Sequence, residues 1–445
     1  MNISPNIRAL ADRAETAMSA IYSDIDAISR FNTEHVLDCF RQCEVSESLF
    51  APSTGYGYGD RGRDMVDILA AKIFRAEAGF MRTSLLSGTH TLTVGLFGIL
   101  RPGDIMLSIS GTPYDTLLDV IGIDGNAQPN GKSGDGSLAD FGVTFMKTDL
   151  QPRDAEGLPF DFDGMRAILA EYGDRVKMVY VQRSKGYADR PTLTVREIRR
   201  AAYEVAEFAK KTGMKKPVFM VDNCYGEFTE TEEPCGKPLD GSKDQCAVDL
   251  MAGSLIKNPG GGMADIGGYI VGTQEAVDLC GYRLTSPGVG LEVGASLGQN
   301  RNLIKGLFYA PHTVAQAMKT AHLAAYMFGE MGYRVNPAWD IRRSDIVQAV
   351  DCDAPEKLVA FCRGIQSASP IDAHVTPYPW EMPGYADPVI MAAGAFVGGA
   401  SIELSADGPM RAPYTAFMQG GLTYESARLG IMAAADKVNS AAQDE

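Results

Sequence analysis

The sequence predicts an α/β fold. A mostly parallel, doubly wound sheet occupies residues 51–305, an N-terminal helical segment precedes it over 1–50, and a smaller α+β region follows over 306–445. Three observations lead there. Short apolar runs alternate with helix-like stretches between about residues 80 and 272, the pattern of a sheet wound with helices on both faces. After about Asn300 that alternation gives way to a long helical segment, which puts the domain boundary within 300–330. The chain has 445 residues, 45% of them hydrophobic and 22% charged, which is an ordinary globular composition and enough for two cores.

Taken in order, Ser4-Pro5 reads as a helix cap with proline at the first helical position, opening a helix to about Ser29. A second helix covers roughly Thr33 to Val45. The loop "APSTGYGYGDRGRD", 51–64, leads to a helix over Met65 to Ala78. "FMRTSL", 80–85, is a strand and "THTLTVGLFGIL", 89–100, a buried helix. "DIMLSI", 104–109, is a strand that ends in the turn "SGTPYD", 110–115. "VTFMKTDL", 143–150, and "VKMVYVQ", 176–182, are further strands. "TVREIRRAAYEVAEFAKK", 194–211, is an amphipathic helix with Ile198, Ala202, Val205 and Phe208 on one stripe. The short apolar strands "PVFMVDN", 217–223, "DLMAGSL", 249–255, and "GGYIVG", 267–272, complete the sheet. Helices over roughly 312–331 and 423–438 frame the C-terminal region.

Bulk composition excludes several functions. A net charge of −15 disfavours nucleic acid and anionic membranes as partners. The N-terminus has no apolar core of a signal peptide, and "VIMAAGAFVGGAS", 389–401, is too short and glycine-rich to span a bilayer. The eight cysteines, at 39, 43, 224, 235, 246, 280, 352 and 362, form no CxxC pair, and there are only five histidines. Neither a disulfide framework nor a metal site is expected, and a reduced, cytoplasmic protein is.

Ligands of such sheets bind beyond the carboxyl ends of the strands, so the chemistry belongs to the residues just after each strand. "LSGTH", 86–90, sets Ser87, Gly88 and Thr89 at a helix N-terminus, either as an anion site or as a simple cap. Tyr114 tips the "SGTPYD" turn, either as a surface tyrosine or as an aromatic cover for a flat ligand. Asp222 ends an apolar strand, either as a turn cap with Asn223 or as the partner of a buried cation. Lys257, in "GSLIKNPGGG", is either a solvated strand end or a reactive amine whose pKa an apolar pocket lowers. In the second case the glycines let the backbone pass close to a ligand, and Ser254, three residues earlier, joins the anion site. Each signal has a bland alternative. Their order, an anion turn, an aromatic, a carboxylate and then Ser-x-x-Lys, supplies the parts that hold pyridoxal phosphate.

With those residues assembled, the chain resembles the fold-type I pyridoxal-phosphate enzymes of the cysteine and methionine metabolism group. It is closest in pattern to the methionine γ-lyase-like family that also carries an aluminium resistance label. The stretches "GYGYGDRGRD", "LSGTHT", "VQRSKGYADRPTLT", "VDNCYGEF", "SLIKNPGGG" and "GPMRAPYTAFMQGGLTYE" carry the resemblance, which spans about residues 30 to 435. It implies pyridoxal 5′-phosphate as cofactor, Lys257 as the lysine that captures its aldehyde, and Asp222 as the partner of its ring nitrogen. Ser87, Gly88, Thr89 and Ser254 become phosphate ligands, and Tyr114 or His90 stacks on the ring. Tyr56, Tyr58, Arg61 and Arg63 offer a loosely spaced counterpart of the Tyr-x-Arg element that related lyases lend across a dimer interface. Arg411 is the match for the arginine that clamps the substrate carboxylate. A homodimer or homotetramer is implied with it.

The implied reaction is carbon–sulfur β- or γ-elimination from an amino acid, giving an oxo acid and ammonia. Lys257 moves the Cα proton, and a tyrosine at 56, 58 or 114 assists the leaving group. Aldol cleavage or transamination on the same fold, or a non-catalytic stress or amino-acid sensor, are the competing expectations. Released thiol and ammonia distinguish elimination from the first two. A pure binder needs neither Lys257 nor Asp222.

Overall fold

A computed structural model describes residues 3–123 and 136–441. Two helices open the chain, α1 (Pro5–Ala17) and α2 (Ser19–Gln42). The break falls at buried Met18, not near residues 29–33 as the sequence suggested. The polar residues near the expected break are satisfied without ending the helix, one by tertiary partners and one within α2. Asn32 Nδ2 donates to Phe228 O (3.1 Å) and Glu230 O (2.9 Å), and Thr33 Oγ1 returns to Ser29 O (2.7 Å).

The large sheet begins after α3 (Arg61–Ile73), whose cap Asp60 accepts the Arg63 N–H at 2.9 Å. That cap starts the helix four residues before Met65 and shifts the next strand forward, so β1 is Ala78–Arg82. Then follow α4 (Gly88–Ile99), β2 (Ile105–Ser108), α5 (Asp115–Ile121), β3 (Thr144–Lys147), α6 (Phe162–Tyr172) and β4 (Val176–Gln182). Next come α7 (Val195–Thr212), β5 (Val218–Asp222), β6 (Leu250–Ser254), β7 (Gly268–Gly272) and α8 (Gln274–Leu284). A reciprocal Thr194–Glu197 box starts α7. The strands lie in the order β1-β7-β6-β5-β4-β2-β3. All run parallel except β7, which is antiparallel to both its neighbours. The central strands are buried on both faces, which is why they read as unbroken apolar runs.

The long helix α9 (Asn300–Glu330) starts twelve residues before the expected 312 and contains Pro311 rather than beginning after it. Proline removes one i→i−4 bond, but its buried ring packs in the helix–helix contact, and Ser29 Oγ donates to its carbonyl at 3.2 Å. Beyond α9 lie β8 (Arg334–Asn336), β9 (Gln348–Asp351), α10 (Pro355–Ser367), β10 (Val389–Ala392), β11 (Ser405–Pro409), β12 (Thr415–Gln419) and α11 (Tyr424–Ala441). The five strands form an antiparallel sheet, β10-β11-β12-β9-β8. One apolar cluster gathers α1, α9, α10, α11 and this sheet, so the first helix packs with the C-terminal half of the chain.

The helices α10 and α11 approach closely at Gly364, where an added Cβ would stand 2.3 Å from Ala434 Cα. Alanine is the better helix former by up to about 1 kcal/mol, while overpacking against backbone costs about 1–3 kcal/mol. The steric term wins. Gly364→Ala should lower the urea midpoint by an amount worth about 1–2 kcal/mol, and an unchanged or raised midpoint would show that the helices can part.

Candidate active site

The carboxyl ends of β4, β5 and β6, the turn after β2 and the N-terminus of α4 meet β11 and β12 of the second sheet around one cavity of about 340 Å³. It is lined by Ser87, Gly88 and Thr89, by Tyr114, Asp222, Ser254 and Lys257, and by Tyr225, Asp407 and Phe417 among others. These strand-end residues, separated by up to 170 positions in the sequence, thus share one space.

Each is placed by its element. Asp222 is the last residue of β5, directly beside Ala252 of β6. Its Oδ1 accepts the Cys224 N–H at 3.1 Å, so it caps the following turn and also faces the cavity. Burial pushes its carboxyl above the ordinary range, partly offset by the Cys224 N–H and by Lys257. Ser87 caps α4 by accepting the His90 N–H at 3.1 Å, leaving the first-turn amides of Gly88 and Thr89 without helical acceptors. Ser254 Oγ is buried with no hydrogen-bond partner. A Cβ on Gly88 would lie 3.5 Å from Ser254 Cβ. An orphaned hydroxyl beside a bare helix N-terminus is an anion cradle that the protein alone leaves unsatisfied.

Lys257 follows β6 at the start of a short 3₁₀ turn, and its Nζ lies 3.7 Å from the centre of the Tyr225 ring. The sequence suggested a lowered pKa, and the structure reverses that expectation. Burial lowers it, but Tyr225, Cys224 and Asp222 crowd the amine and together hold it above the ordinary lysine range. The glycines after it let the backbone pass close to α9. A Cβ on Gly261 would meet Gly306 O at 2.4 Å, and one on Gly306 would meet Gly260 O at 2.4 Å. Gly261 and Gly262 also adopt positive φ, at +55° and +79°.

The remaining predicted residues fall elsewhere. His90 turns back, its Nδ1 accepting the Leu86 N–H at 3.1 Å, and it does not line the cavity. Tyr114 does line it, hydrogen-bonded to the Tyr385 hydroxyl at 2.8 Å. Tyr56 and Tyr58 are 74% and 69% exposed, and their loop lies outside the cavity. Arg61 is exposed at the start of α3. Arg63 is buried and bound to Gly57 O (2.9 Å), Gly294 O (3.2 Å) and Asp64, so it holds the loop's shape. Arg411 sits outside the lining and pairs with Asp387 at 2.7 Å. Its charge reaches Asp115, between the cavity residues Tyr114 and Thr116.

Sequence reasoning missed Tyr225, Tyr187, Tyr385, Asp407 and Phe417. Tyr225 and Tyr187 lie inside the quoted segments "VDNCYGEF" and "QRSKGY", but nothing local marked them. Tyr225 has φ +71°, and that left-handed conformation turns its ring onto Lys257. Tyr385 lies outside the named strands and helices, and Asp407 looks on paper like one more polar residue of an edge segment.

The methionine gamma-lyase family model matches residues 7–439. Uncharacterized protein YnbB of Bacillus subtilis is 46% identical over 97% of this chain and 96% of its own length. A solved structure from Listeria monocytogenes, described as a "putative cystathionine beta-lyase involved in aluminum resistance", is 44% identical, covers 97% of this chain and 100% of its own, and superposes with a TM-score of 0.86. A carbon-sulfur lyase involved in aluminum resistance from Clostridium novyi is 40% identical over 98% of this chain and 96% of its own, with a TM-score of 0.87.

The orphaned Ser254 hydroxyl gives a direct check on the anion cradle. Ser254→Ala should leave the thermal midpoint of the ligand-free protein unchanged or slightly raised, since no hydrogen bond is lost. It should weaken pyridoxal phosphate binding, followed by absorbance titration, about fivefold to tenfold. A clear loss of ligand-free stability with unchanged binding would remove the cradle.

Proposed function

The chain belongs to the methionine gamma-lyase family, and from that premise we propose that it is a pyridoxal-phosphate-dependent carbon–sulfur lyase acting on an amino acid. The observation that carries the proposal is the convergence of Lys257, Asp222 and the α4 anion cradle on one cavity. The architecture is that of the fold-type I pyridoxal-phosphate proteins. The lining fits the cofactor on its own terms. Ser254 Oγ and the first-turn amides of α4 are unsatisfied donors for its phosphate, Tyr114 offers an aromatic face, Asp222 a buried carboxylate for its ring nitrogen, and Lys257 an amine for its aldehyde. When bound, the group supplies an electron sink that acidifies the Cα–H bond of an attached amino acid.

The chain's own residues do the rest. Lys257 Nζ takes the Cα proton and returns it. Asp222, buried and negative, keeps the proton on the ring nitrogen through a charge-assisted hydrogen bond. The hydroxyls of Tyr114 and Tyr225 face the same space and supply a proton to departing sulfur, the part first assigned to Tyr56, Tyr58 or Tyr114. Arg411, which lies outside the cavity lining but whose charge reaches Asp115, leaves Asp387 to take the substrate carboxylate. The net change consumes one water and releases a thiol, ammonium and a 2-oxo acid.

An oligomer belongs to the same proposal. Tyr56 and Tyr58 stand with Leu297 on two loops joined by Gly294 N to Tyr56 O (2.9 Å) and Leu297 N to Ser53 O (3.2 Å). Exposed rings on a pinned loop suit coverage by a second copy, in a homodimer or a homotetramer. Arg61, beside them, then faces the neighbour. A cytoplasmic location is supported by eight cysteines with no disulfide among them. No described helix is long and apolar enough to cross a membrane.

Purified protein supplied with a panel of sulfur amino acids should release thiol and ammonia together. Aldehyde release, or an amino-group transfer without ammonia, would overturn the lyase reading. Asp222→Asn keeps the shape and removes the charge. Turnover should fall about a hundredfold or more while cofactor affinity changes little, and parental turnover would reduce Asp222 to its capping role. Light scattering should give a mass of at least two chains of 47.8 kDa, and an active single chain would remove the oligomer from the proposal.

A further inference from the structure

The cavity's lining contains two carboxylates, Asp222 and Asp407, and one cation, Lys257. A second cation, Arg190, lies behind the lining, bonded to Ser184 O at 3.0 Å, and its charge acts on Asp222. Asp222 and Lys257 are engaged by the reaction proposed above. Asp407 is not. It sits in the middle of β11, between Met391 of β10 and Phe417 of β12, and is 5% exposed. No described lysine or arginine forms an ion pair with it. Burial pushes its carboxyl up to about 6, against the opposing effects of Tyr187 and Lys257.

Aromatic rings surround this carboxylate. Tyr187 stands 4.8 Å from Phe417, 5.4 Å edge-on from Tyr114 and 5.9 Å from Tyr385, measured between ring centres. Asp407 influences the ionisation of all three tyrosines. The Tyr187 hydroxyl is buried and makes no hydrogen bond of ordinary geometry, yet it lies close enough to Asp407 to draw its carboxyl down. A buried carboxylate without a counter-ion is costly, and aromatic faces around an anion form the chemistry that takes up a soft, weakly hydrated cation.

We propose that Asp407, Tyr114, Tyr187, Tyr385 and Phe417 form a subsite for a sulfonium group on the side chain of the substrate. The inference rests on the lyase reading and narrows its substrate class. A sulfonium suits the rings better than an ammonium does. An ammonium needs several acceptors to replace its water, whereas a sulfonium carries alkyl groups that ring faces can cover. The chemistry balances. With sulfonium sulfur on Cγ, Lys257 takes the Cα proton and then a Cβ proton is removed. The Cβ–H electron pair forms the Cβ–Cγ double bond, and the Cγ–S bond breaks with its electron pair staying on sulfur, which leaves as a neutral dialkyl sulfide. One water is consumed overall, and the dialkyl sulfide, ammonium, a proton and the 2-oxo acid are released.

The test compares S-methylmethionine with methionine on the cofactor-loaded enzyme, together with binding of the unreactive trimethylsulfonium ion measured by calorimetry. The ratio of kcat/KM for S-methylmethionine over methionine should exceed about ten. Asp407→Asn should lower that ratio roughly tenfold or more and weaken trimethylsulfonium binding in step. Phe417→Leu, which removes a ring and no charge, should lower the ratio about threefold and serves if the first variant fails to fold. Lyase turnover with no sulfonium preference, a stronger preference for a side-chain ammonium, or equal losses on both substrates in Asp407→Asn would overturn the subsite and leave the lyase reading standing. Trimethylsulfonium binding that depends on Asp407, with no elimination from any sulfur amino acid, would keep the subsite and overturn the lyase reading.

Discussion

Two carboxyls and one amine are buried together, at the end of β5, just after β6 and in the middle of β11, and the rest of the site answers to that constraint. Charges removed from water persist only when each finds a partner. Asp222 takes the Cys224 N–H. Lys257 takes the face of Tyr225 and the field of Asp222, which outweigh its desolvation. Burial lifts both carboxyls, while their negative field helps keep the proton on Lys257. The unusual conformation of Tyr225 follows from this need. A ring face lies against the ammonium, delivered by a positive φ in a turn pinned by Asp222.

Position is enforced from behind. The backbone just after Lys257 is locked on α9, where a side chain on Gly261 would strike Gly306 O and one on Gly306 would strike Gly260 O. Asn258 adds a tie, its Nδ2 donating to Glu227 O at 2.9 Å and so linking the lysine's turn to the turn after Asp222. The catalytic candidates of β5 and β6 are thus fixed to each other by backbone contacts, before any ligand contributes.

How much of this was legible depended on whether the signal was local. The buried parallel strands were legible because both faces demand apolar residues, and Asp222 and Lys257 stood out as charges at the ends of such runs. Their bland alternatives were also partly right, since Asp222 does cap a turn. The glycines after Lys257 were legible as a sign of close approach, but the sequence did not say what approaches. Helix limits failed at Asn32 and Pro311, where tertiary partners satisfy groups that alone would end a helix. Asp407, Phe417 and Tyr385 had no legible signal. Their strands and loops are short, and their meaning comes from residues more than 150 positions away across the cavity.

That distance explains why the segment after β4 matters beyond its own side chains. The cavity has walls from two sheets, and residues 182–192 tie them. Ser184 and Thr192 both donate to Asp345 Oδ2 at 2.8 Å, Lys185 donates to Asn336 O at 2.7 Å, and Asp189 meets Arg334 at 2.6 Å. The exposed Asp189–Arg334 pair contributes little. The buried contacts of Ser184 and Lys185 cannot be lost without stranding a polar group, so they set the spacing of the walls. Tyr187 lies between these ties and carries its ring to Phe417 of the second sheet. The same short stretch therefore joins the two halves of the chain and contributes an aromatic face to the space between them. The shape of the cavity around Asp407 is then a property of the joint between the sheets rather than of either sheet alone.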